Sequence, residues 1–212
     1  MPRRFIILII FALCACERGP TLGPGDDNSL ATASQADCGF VQNSYGQRVS
    51  WKKNIPVTLK IHPTFPPEYE DTLKKAAQHW NDVAGMTLIN FATDSAGSPN
   101  KAEKNLISTV HWLQEWPETQ KNLQALTNLY WQGNSLYESD VIVDAKYFNF
   151  FVDKPQNSND IHLESLLIHE LGHVLGLKHR STVPSVMWAT LQGAAIRSDL
   201  TDADRETIKC EY

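Results

Sequence analysis

Apolar and polar residues alternate over Pro56-Val-Thr-Leu-Lys-Ile61, and the β-branched content of that run predicts a first strand. Pro66 and Pro67 end it and lead into a helix over residues 68–83, where Tyr69, Leu73, Ala76, Ala77 and Trp80 recur every three or four positions. Met86 to Phe91 reads as a second strand and Leu106 to Trp112 as a third, with a polar turn-rich loop over residues 93–104 between them. Residues 113–125 carry no clear period and read as a loop with a helical turn. Leu126 to Trp131 and Ser139 to Val143, joined around Gly133 and Asn134, have the pattern of a hairpin. After a polar break at residues 153–160, a strong helix is expected from Ile161 to Leu175, with Asp160 or Asn159 as its cap. A last helix begins after Thr201 or Asp202, where early acidic residues suit the positive end of the dipole. This order of elements describes one mixed α/β domain without internal repeats.

The amino terminus has a different character. Arg3 and Arg4 precede the apolar run from Phe5 to Leu13, too short to span a bilayer but suited to a secretory signal. Leu13-Cys14-Ala15-Cys16 resembles a bacterial lipoprotein lipobox, which implies a signal peptide over residues 1–15 and a lipid on Cys16. Residues 16–37, rich in Gly, Pro, Ser, Asn and Asp, read as a flexible tether, leaving residues 38–212 as the folded domain. The expected location is therefore extracytoplasmic, on the cell membrane or the outer membrane. Lys and Arg number 19 against 24 Asp and Glu, a net charge of −5, and no basic stripe offers a grip on a phosphate backbone. Nucleic-acid binding is disfavoured, and a monomer is the default because no oligomerisation signature stands out.

The most informative stretch is His169-Glu-Leu-Gly-His-Val-Leu-Gly-Leu-Lys-His179. At about 100° per residue, His169 and His173 lie about 40° apart and roughly one turn from each other, so both imidazoles project from one face. Leu163, Leu167, Leu171, Val174 and Leu175 fall on the opposite, apolar side. Two neutral imidazoles at this spacing can take neighbouring corners of a zinc tetrahedron. Gly176 can turn the chain back through left-handed backbone space, bringing His179 in as a third nitrogen ligand and leaving the fourth position for water. Three protein ligands and one open position make a catalytic rather than a structural zinc pattern. Glu170, next to the histidine face, is placed to act as general base without being a ligand.

This eleven-residue signature resembles that of the metzincin zinc metallopeptidases, and the surrounding domain is most similar to bacterial matrixin-like members. The resemblance implies a zincin-like α+β fold: a twisted, mixed five-stranded sheet, an active-site helix and a small C-terminal subdomain. It also implies that Met187, in Ser185-Val-Met187, forms the hydrophobic floor beneath the zinc, and that residues 188–195 line the pocket after the scissile bond. The implied activity is that of a zinc metalloendopeptidase acting on a protein or peptide bound as an extended strand against Leu126 to Trp131. A rival reading is a non-catalytic surface-binding lipoprotein that keeps the fold; the intact Glu170 favours the enzyme, since three histidines alone suffice to hold metal. Some positions depart from subgroup patterns: Ala189 stands where matrixins commonly have proline, no tyrosine follows Met187 closely, and Arg180 replaces the aspartate of adamalysins.

Cys38 and Cys210, one near each end of the domain, most simply pair as a disulfide in an oxidising compartment. The resemblance opens a second role for Cys38, whose thiolate followed by Gly39 would occupy the zinc's open position as a switch. Asp94 and the Asp153 to Asp160 loop offer carboxylates to a structural calcium ion, though without EF-hand spacing. His62, His79, His111 and His162 form no second zinc motif, and most tryptophans are expected in the core.

Overall fold

The computed structural model describes residues 34–94 and 102–212. The signal-peptide and Cys16 readings, and most of the tether, lie outside these residues. Five strands build one sheet: β1 (Val57–Ile61), β2 (Ile89–Thr93), β3 (Thr109–Leu113), β4 (Ala125–Gln132) and β5 (Ser135–Asp144), in the order β2-β1-β3-β5-β4. The first four in that order run parallel, and β4 closes the edge antiparallel to β5. This is the mixed five-stranded sheet that the resemblance implied.

Helix α1 (Glu70–Ala84) follows a 3-10 turn at Pro67–Tyr69, and α2 (Leu163–Val174) packs against α1 and over β4 and β5. Leu59, Val110, Val141 and Val143 from the sheet, Leu73 and Trp80 from α1, and Leu167, Leu171 and Val174 from α2 form the centre of the core. The Trp80 indole N–H donates to the Ile168 carbonyl at 2.9 Å, tying the two helices together. A short helix, α3 (Asp202–Lys209), forms the small C-terminal subdomain. Its Thr201 and Asp204 make a reciprocal capping box, which is why the acidic first turn predicted its start correctly.

Several boundaries moved, each because a side chain competed for backbone groups. Strand β2 begins at Ile89 rather than Met86, since the Asn81 side chain accepts the N–H groups of Leu88 and Ile89. Strand β3 begins at Thr109 rather than Leu106, because the buried Glu138 carboxylate captures the N–H groups of Asn105 and Leu106. Helix α2 starts at Leu163, and its cap is His162 rather than Asp160 or Asn159. Ile161–His162 instead forms a short strand, β7, beside β6 (Phe150–Phe151). Asp160 turns back on its own loop and accepts the N–H groups of Gln156 and Asn157, both at 2.8 Å. Among the described residues, neither Asp94 nor this loop belongs to a group of converging metal-ligating atoms.

On the outer face of β5, burial and the neighbouring Glu138 carboxylate push the Asp140 carboxyl up to about 7. Its Oδ1 accepts the Thr109 N–H at 3.1 Å, while Oδ2 is buried with no partner among the described residues. A carboxyl whose folded pKa lies above its ordinary 3.8 keeps its proton on folding, so stability falls as pH rises between about 4 and 7 and stays reduced above that. Asp140→Asn keeps an acceptor for Thr109 without the buried charge. It is expected to raise Tm by about 3–6 °C at pH 8, or roughly 1–2 kcal/mol, and to leave it nearly unchanged at pH 4. Thermal melts of both proteins at the two pH values check this.

Candidate metal centre

Helix α2 is buried almost all round, unlike the two-faced helix that its periodicity suggested. His162 and Ser165 are both buried and bond to each other at 2.7 Å. Trp51 and Tyr212 close the helix's far end by donating to the carbonyls of Val174 and Leu175, both at 2.7 Å.

The helix ends in a Schellman turn. Leu177 N–H donates to the Gly172 carbonyl and Gly176 N–H to that of His173, with Gly176 at φ +97°. The chain then reverses and runs beside the amino-terminal segment, where Val41 N–H donates to the Gly176 carbonyl and Lys178 N–H to that of Gly39, each at 2.9 Å. A disulfide joins Cys38 to Cys210, 172 residues away, so this segment is fastened to the end of α3. Cys38 is thereby not a free thiolate.

The turn returns His179 to the helix. The three Nε2 atoms stand 3.2 Å apart for His169–His179, 3.1 Å for His169–His173 and 3.1 Å for His173–His179. His169 Nδ1 lies 2.8 Å from the Val186 carbonyl and His173 Nδ1 lies 2.7 Å from that of Leu177. Carbonyls only accept, so each Nδ1 carries the proton and each Nε2 presents a lone pair to the common centre. Burial drives the His169 pKa well below its usual value and the His173 pKa to about 4; burial also lowers that of His179. Neutral rings are what a metal needs. Zn–N bonds of about 2.0–2.1 Å in a tetrahedron require nitrogens about 3.3 Å apart, close to the triangle seen. The donor set therefore fits a zinc ion. Among the described residues it is the one group of histidine, cysteine and carboxylate atoms arranged to hold a metal.

Met187 is buried against α2 at Gly172. Gly172 makes room for it, since a Cβ there would overlap the Met187 Sδ and crowd Trp80. The turn at residues 185–187 is held by α3: Asp204 accepts from the Ser185 hydroxyl and, at 3.1 Å, from the Val186 N–H. The following segment is held by Arg197, whose guanidinium donates to the carbonyls of Thr190 and Trp188 at 2.9 and 3.0 Å. Gly172, Asp204 and Arg197 were not singled out from the sequence. A glycine inside a helix, with its cost of about 1 kcal/mol, was the available signal for the first; nothing local marked the others.

Glu170 follows His169 on the helix and is only 5% exposed. Burial raises its carboxyl to about 7, although a hydrogen bond from Thr127 works in the other direction.

A family model, Matrixin, matches residues 50–212 of this chain. The chain belongs to the matrixin family. It is also 42% identical over 177 residues to Metalloendoproteinase 2-MMP of Arabidopsis thaliana, with 76% of this chain and 42% of that protein covered. This matrixin thus spans about two fifths of the length of the relative it matches. The similarity to a plant enzyme overturns the reading of the chain as a bacterial matrixin-like member. That reading rested on the likeness of the domain around the signature, and element order does not separate plant from bacterial members.

Proposed function

We propose that this matrixin is a zinc-dependent endopeptidase, and the observation that carries the reading is the triangle of three Nε2 atoms, with the buried Glu170 next to His169 on the same helix. His169, His173 and His179 would hold the ion, with Met187 packed below them. Bound there, zinc supplies Lewis acidity at the scissile carbonyl and makes a water acidic enough to attack near neutral pH. Glu170 takes the proton of the attacking water as its oxygen bonds to the carbonyl carbon. It then gives that proton to the amine nitrogen as the C–N bond breaks.

The substrate reading is an extended peptide paired with β4. Among the described residues this strand is an edge of the sheet, next to β5 and packed against α2, so its outward backbone groups offer the ladder a peptide strand would use. Export is supported by the Cys38–Cys210 disulfide, a bond that persists in oxidising compartments. Within this reading residues 1–15 are a signal peptide and residues 16–37 a tether to the domain at 38–212. Attachment of a lipid at Cys16 rests on Leu13-Cys14-Ala15-Cys16 alone; the intact mass of the mature amino terminus tests it.

The test of the activity is direct. Purified protein should contain one zinc per chain and cut a mixed peptide library at internal bonds. Treatment with a chelator should remove metal and cleavage together, and added zinc should restore both. Metal-replete, folded protein that cuts nothing would leave the non-catalytic binding protein as the better description.

A further inference from the structure

We propose that Thr127 is a positioning residue that orients the Glu170 carboxylate from the sheet edge, an inference that rests on the endopeptidase reading. Thr127 lies opposite Val141 across the β4–β5 ladder, and Val141 is fully buried in the core. Cross-strand partners share a face, so Thr127 points toward α2, away from the outer surface of the sheet. Its hydroxyl donates to Glu170 Oε2 at 2.6 Å. The other acceptor near it, the Glu170 carbonyl, is 3.4 Å away and competes weakly.

The geometry separates the two carboxylate oxygens. Oε2 is held by a short, charge-assisted bond, while Oε1 makes no hydrogen bond with the described residues. The terminal torsion of a glutamate is broad and roughly two-fold, so helix packing alone does not fix the plane of the carboxylate. A single anchor on Oε2 does, and it leaves Oε1 to receive the water proton. The anchor comes from the strand against which a peptide would pair, so the base is referenced to the element that places the substrate. If Thr127 were there only for β-propensity and packing, valine would serve as well at this core-facing position.

The experiment compares wild type with Thr127→Val, Thr127→Ser and Glu170→Gln. Thr127→Val preserves shape and strand preference while removing the donor. It should lower kcat by about 10- to 100-fold, the scale of effect expected when a reacting group is misplaced, with KM within about twofold and zinc still at one per chain. Thr127→Ser should recover most of kcat. Crystal structures of the metal-free proteins provide a readout independent of turnover: one Glu170 carboxylate orientation in wild type and Thr127→Ser, several in Thr127→Val. A Thr127→Val enzyme with wild-type kcat, a serine variant as impaired as the valine one, or an unmoved carboxylate in the valine crystal would each overturn the proposal. Wild type without cleavage would instead count against the endopeptidase reading, and the crystal comparison would still decide whether Thr127 holds the carboxylate.

Discussion

Glu170→Gln is expected to lower kcat/KM by about 10²- to 10⁴-fold, the usual contribution of a general acid–base group, while leaving zinc content unchanged. The separation of these two effects follows from the site. The metal-facing nitrogens belong to His169, His173 and His179, and none of the contacts that orient His169 or His173 runs through Glu170. Glutamine has the size of glutamate and still offers an oxygen to the Thr127 hydroxyl, so α2 and β4 stay joined. What it lacks is the ability to accept a proton from water and return it to the leaving nitrogen. Metal analysis and peptide cleavage on the same preparation read both quantities. A variant that keeps metal and retains more than a tenth of wild-type cleavage would remove Glu170 from the role of base.

The second large effect is expected at a residue that touches neither metal nor substrate. Gly176→Ala should lower Tm by about 6–12 °C, or roughly 3 kcal/mol, and weaken zinc binding by about 10- to 100-fold. Two costs combine. At φ +97° a side chain is strained whatever the space around it, and the added Cβ would run into the Val49 carbonyl oxygen, a backbone atom that cannot swing aside. Relief requires the turn to open. The turn carries Leu177, whose carbonyl fixes the His173 ring, and leads directly to His179. Opening it therefore disturbs the second and third ligands together. Calorimetry of the metal-free protein and competition with a chelator of known affinity separate the two effects. A variant with normal zinc affinity and a lowered Tm would confine Gly176 to folding; one unchanged in both would contradict the clash itself.

Much of the site was legible from residues 169–179 because its information is local. Helical spacing sets two imidazoles on one face, and a glycine midway between His173 and His179 is a turn signal with a mechanism. The sheet was legible in its strands but not in their starts. Asn81 and Glu138 intercept the N–H groups at the beginnings of β2 and β3, and no alternation of apolar residues reveals where a distant carboxylate or amide will fold back. The all-round burial of α2 is hidden in the sequence for a related reason. His162 and Ser165 resemble a solvent face in sequence, yet they satisfy each other inside the protein.

The sequence by itself determined the kind of chemistry: which nitrogens can meet around a metal, which carboxylate stands beside them, and the mixed fold whose core can carry them. Only the tertiary structure decided how those groups are held. Thr127 meets Glu170 from 43 residues away, Asp204 steadies the turn that carries Met187, and Cys38 and Cys210 fasten the segment bracing the turn before His179. Ligand identity follows from residue type and short-range periodicity, both written along the chain. Orientation depends on contacts between elements far apart in sequence, and these exist only once burial has brought the sheet, the helices and the two ends of the domain together.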